Sequence, residues 1–60
     1  MNLLEHYIKK IISEREVEMF GKPYVRAKLI VNCYGVINET VEEFPKDEWE
    51  KVKAQGYYMA

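Results

Sequence analysis

The reactive side chains of this chain are few: Cys33, His6, Ser13 and the neighbouring pair Glu42 and Glu43. Nucleophilic catalysis needs a thiol or hydroxyl beside a base that a third group orients. Cys33, His6 and Ser13 are each the sole residue of their kind, so the one histidine cannot supply a base together with a metal site. One cysteine with one histidine also falls short of the four ligands of a structural zinc site, and no glycine-rich phosphate loop is present. Glu42 and Glu43 are consecutive on an expected strand and so point to opposite faces, which excludes a two-carboxylate hydrolytic site. The inventory therefore predicts no catalytic residue, no metal site, no cofactor and no enzyme activity. Cys33 is read as an inert core thiol and His6 as a surface residue.

Recognition chemistry is better represented. The eight aromatic residues Tyr7, Phe20, Tyr24, Tyr34, Phe44, Trp49, Tyr57 and Tyr58 exceed what one core of this size buries. Tyr and Trp are enriched at binding hot spots, which makes Tyr34, Trp49, Tyr57 and Tyr58 candidate partner contacts, with Trp49 also readable as wholly structural. The acids Glu39, Glu42 and Glu43, continuing into Asp47, Glu48 and Glu50, are a further candidate contact surface or a solvated edge. Phe20, Tyr24 and Ile30 form a candidate dimer face. Arg26, Lys28 and Tyr24 would be the contacts if the partner were a nucleic acid. The net charge of −1 speaks against a dedicated nucleic-acid binder.

The elements that position these groups follow from periodicity. Leu4, Tyr7, Ile8, Ile11 and Ile12 fit one face of a helix over residues 3–12, with Asn2 as its cap; Tyr7, Ile8, Ile11 and Ile12 also suit a strand running into residue 20. Tyr24–Cys33 alternates as a central strand with Val25, Ala27, Leu29, Val31 and Cys33 on one face. A loop at Gly21-Lys22-Pro23 would oppose Phe20 to Tyr24, Met19 to Val25, Glu18 to Arg26 and Glu16 to Lys28. Tyr34-Gly35 marks the next turn, and Val36–Phe44 an edge strand with either Ile37 and Val41 or Val36, Thr40 and Phe44 facing inward. Residues 45–55 read as a helix that Pro45 opens and Gly56 stops, with Trp49 and Val52 inward. The fold expected is α+β: a small antiparallel sheet of about three strands, a C-terminal helix and an N-terminal helix, in a single domain over 1–60.

Sixty residues bury a marginal core, and with a single cysteine the common remedy left is self-association, so a homodimer is expected. Hydrophobic residues at 48% and charged residues at 32% match a folded chain, and no apolar run suits a membrane span or a secretory signal. A lone cysteine fits a reducing compartment, and the cytoplasm is the expected location.

The segments Asn32-Cys33-Tyr34-Gly35, Phe44, Trp49-Glu50 and Gly56-Tyr57-Tyr58-Met59-Ala60 together resemble a group of short proteins encoded by phages and prophages of Gram-positive bacteria. Within that group the chain is similar to the small anti-defence inhibitors of the Hachiman anti-phage system, understood to form homodimers. The resemblance spans most of the chain, its motifs are short, and it carries over no binding residue; Pro45 stands where a capping Ser or Thr is expected in relatives. It implies inhibition of a host defence protein by protein–protein binding, in the host cell cytoplasm. A regulatory adaptor of another pathway and a nucleic-acid-binding accessory are the alternative readings.

Overall fold

The computed structural model describes residues 3–60. Four antiparallel strands, β1 (Glu5–Met19), β2 (Lys22–Cys33), β3 (Val36–Pro45) and β4 (Tyr57–Met59), form one curled sheet in the order β3-β2-β1-β4. One helix, α1 (Lys46–Gln55), lies on one face of this half-barrel. Among the described residues the chain is thus mostly β with a single short helix, and the expected N-terminal helix does not form. Asn2, its proposed cap, lies outside the described residues.

The N-terminal segment misleads for a definite reason. Across the β1–β2 pair, Ile8 faces Val31, Ile11 faces Leu29 and Glu14 faces Ala27, with register irregularities between Ile8 and Lys10 and between Ile11 and Ser13. Each bulge adds one residue to β1, so side chains that share the helix-covered face are spaced by three instead of two. Two bulges in succession therefore imitate the i, i+3 spacing of a helix. β-branched Ile8, Ile11 and Ile12 favour the strand intrinsically, and tertiary pairing decides the outcome.

The first hairpin also differs from expectation. Its loop is Phe20-Gly21, both at positive φ (53° and 71°), and Met19 pairs with Lys22, Val17 with Tyr24 and Glu16 with Val25. A two-residue turn with both central residues at positive φ matches the right-handed twist of the flanking strands. Neither Glu18–Arg26 nor Glu16–Lys28 is formed; Arg15 stands opposite Arg26 instead. Tyr34-Gly35 makes the second hairpin in the same way, at φ 52° and 88°. Aromatic residues pay a steric penalty of about 1–2 kcal/mol in left-handed backbone. Phe20→Asn is therefore expected to stabilise the chain by about 0.5–1 kcal/mol, after loss of the Phe20–Tyr24 ring contact at 6.2 Å, read as a higher urea midpoint at unchanged slope.

The core lies between the sheet and α1. Val25, Ala27, Leu29 and Val31 from β2 pack with Trp49 and Val52 of α1 and Tyr58 of β4, and Ile8 and Phe44 close the rim. β3 lies at the sheet edge, as its charges predicted, and turns Thr40, Glu42 and Phe44 toward this side because they oppose Leu29, Ala27 and Val25. Pro45 precedes the helix as its cap (φ −54°, ψ 142°), and Gly56 at φ 85° ends it, donating its N–H to the Val52 carbonyl at 2.8 Å. The left-handed Gly56 turns the chain back so that β4 pairs with Glu5–Tyr7, a strand that periodicity over three residues could not reveal. The molecule is a small globule of 36 × 27 × 19 Å, and no helix among the described residues is long and apolar enough to cross a membrane.

Candidate interaction surface

Antiparallel pairing sorts the side chains onto two faces. On the covered face, Trp49 is 1% exposed and stacks on Phe44 at 5.4 Å, and its Nε1 donates to Glu14 Oε1 at 3.2 Å. The Lys53 ammonium lies 5.6 Å from the centre of the Trp49 ring and also meets Glu14 at 3.5 Å. Its hydrogen bond to Glu50, chiefly, raises the Lys53 pKa above the ordinary lysine value. Tyr58 is 4% exposed, stacks on His6 at 5.2 Å and donates its hydroxyl to Glu42 Oε2 at 3.4 Å. Burial first, and the Glu42 charge second, push the Tyr58 pKa up to about 12. His6 is accordingly half-buried, with Nδ1 at 2.9 Å from the Leu4 carbonyl, and is not the free surface residue its position in a helix implied. Cys33 is half-buried at the end of β2.

No element among the described residues lies over the other face of the sheet. β2 presents Tyr24, Arg26, Lys28, Ile30 and Asn32 there; β1 adds Tyr7, Lys10, Ser13, Arg15 and Val17, and β3 adds Ile37, Glu39, Val41 and Glu43, since directly paired residues share a face. Tyr57 of β4 lies beside Tyr7, ring centres 5.4 Å apart. The Tyr7 hydroxyl donates to Glu5 at 3.2 Å, and that bond holds its pKa above the usual tyrosine value. Arg26 places Nε and Nη2 at 2.9 and 2.6 Å from one oxygen of Glu43, and Lys28 lies 3.5 Å from Glu39. Phe20 and Tyr34, at the tips of the two hairpins, are 85% and 73% exposed.

The sequence-predicted contacts divide on this geometry. Trp49 and Tyr58 are interior and hold the fold, Tyr57 is half-buried against Tyr7, and Tyr34 is fully presented. The acids do not make one surface: Glu39 and Glu43 lie on the open face in ion pairs, while Glu42 turns to the helix side and accepts from Thr40 and Tyr58. Nor do Phe20, Tyr24 and Ile30 form one patch. Phe20 touches Tyr24, but Ile30 is six residues farther along β2, about 20 Å away. Tyr7, Arg15, Ile37 and Val41 are open-face residues that sequence reasoning passed over, because their face is set by the bulges and by a register that two patterns satisfied equally well.

No family model, curated protein or solved structure matches this chain.

Proposed function

We propose that this chain is a binding protein of the phage anti-defence type, which inhibits a host defence protein by covering part of its surface. The observation that carries the reading is the pair Phe20 and Tyr34, exposed aromatics held in left-handed backbone at the hairpin tips. Such strain adds nothing to the fold, and exposed aromatic anchors are what a binding surface requires. The uncovered sheet face between the tips supplies the surrounding area. The resemblance to inhibitors of the Hachiman system names the class of target.

The test is expression in a Gram-positive host carrying that system, challenged with a phage the system restricts. The chain should restore plaque formation, and the Phe20→Asn, Tyr34→Asn double variant should lose rescue although it folds more stably. Absence of rescue by the unaltered chain, or full rescue by the double variant, would sink the reading.

The second part of the proposal is that it acts as a homodimer, joined along β1. Beyond Ile8 no strand among the described residues lies against the outer edge of β1. That edge presents unpaired backbone N–H and C=O groups, onto which the same edge of a second copy can add antiparallel. Proline at Glu16, on that edge, should give a monomer as measured by light scattering. A monomeric unaltered chain, or a proline variant that stays dimeric, would refute the seam.

A further inference from the structure

At the centre of the open face, Arg15 is paired directly with Arg26 across β1 and β2. Like charges so placed destabilise a sheet, and almost any other strand-forming residue at position 15 would remove the cost. Among the described residues the ion pairs engage Arg26, Lys28, Lys46, Lys51 and Lys53, and none engages Arg15. Arg26 directs Nε and Nη2 to Glu43, which fixes its plane and leaves further guanidinium donors unused. Ser13, Arg15, Arg26, Lys28 and Val41 together line a shallow depression of about 230 Å³.

We infer that this depression is a seat for carboxylates of an acidic polypeptide segment, and that the surface recognised by this chain is acidic. The inference rests on the binding role proposed above and names the chemistry of the partner. Two guanidiniums, an ammonium and a hydroxyl around one hollow match planar carboxylates, which arginine takes in paired hydrogen bonds. Ile30, Ile37 and Val41 share the face, so a partner contributing apolar side chains between its acids gains further burial. A continuous phosphate backbone fits less well, because it brings no apolar side chains to Ile30, Ile37 and Val41.

Arg15→Glu separates recognition from folding, because it sets a carboxylate opposite Arg26 while removing the free guanidinium. The variant should melt about 4–8 °C higher and bind a labelled decapeptide of alternating Glu and Val roughly tenfold more weakly, or worse. In the unaltered chain, that peptide should shift the backbone amide resonances of Ser13, Arg15, Arg26 and Lys28, and its counterpart with Gln for Glu should not. Unchanged peptide affinity in Arg15→Glu, or no binding by the unaltered chain at low salt, would overturn the seat. Tighter binding of labelled oligothymidylate than of the peptide would overturn it in favour of nucleic acid. Plaque rescue reports separately on the inhibitor reading: rescue that survives Arg15→Glu but not the hairpin-tip variant leaves that reading standing and removes the acidic-partner inference alone.

Discussion

Replacing Trp49 by alanine is expected to remove most or all of the cooperative unfolding transition at room temperature. Trp49 is 1% exposed and one of the two largest side chains fully enclosed, packed on Phe44 and on the β2 face. Truncating a buried aromatic to alanine costs about 3–5 kcal/mol in lost transfer energy and unfilled volume. A chain of this length has a total stability of roughly 3–9 kcal/mol, so one substitution takes a large share of it. The substitution also leaves Glu14 without its indole donor, although Lys53 still neutralises that carboxylate. Trp49→Phe keeps the stacking on Phe44 and should lose less than half as much. Near-ultraviolet circular dichroism and urea titration measure both. An alanine variant that unfolds at the wild-type midpoint would mean that Trp49 lies outside the core.

Alkaline pH is expected to destabilise the protein through Tyr58. An unfolded tyrosine loses its proton near pH 10, whereas the Tyr58 pKa is pushed up to about 12 by burial and by the facing carboxylate of Glu42. The folded state thus binds the phenolic proton more tightly than the unfolded state does. This stabilisation is complete below pH 10 and is lost as the pH rises from 10 to 12, in total on the order of 2 kcal/mol. Tyr58→Phe should cost about 0.5–1.5 kcal/mol at neutral pH through the missing hydrogen bond. It should also flatten the dependence between pH 10 and 12, and this comparison separates Tyr58 from Tyr7 and Lys53, whose pKa values are also raised. Equal slopes in the two proteins would rule out Tyr58 as the cause.

The two substitutions act on one structural unit. Tyr58 reaches the core because Gly56 reverses the chain after α1, and Trp49 reaches it because Pro45 turns the chain from the edge strand into the helix. Loss of either should loosen the helix and β4 together, leaving the β1–β2 and β2–β3 hairpins as the residual structure.

Local chemistry was legible wherever one residue type decides the backbone. Gly35 after Tyr34 marks a turn, Gly56 a helix stop, and the alternation from Val25 to Val31 a strand with one buried face. Those features depend on near neighbours, so the sequence by itself determined the central strand, the second hairpin, the short C-terminal helix and the inward placement of Trp49 and Val52. It could not determine the N-terminal segment, because Ile8 and Ile11 satisfy a helix and a twice-bulged strand alike, and only the fit against Leu29 and Val31 chooses between them. The tertiary structure alone also decided the loop of the first hairpin, and a shift there carried Glu16 away from Lys28 and toward Lys46, and brought Arg15 against Arg26. Register is a non-local property: every side chain's neighbour depends on how many residues the turn and the bulges consume. The candidate surface inherits that dependence, since charges spread along the sequence became one open basic hollow only when the strands were aligned.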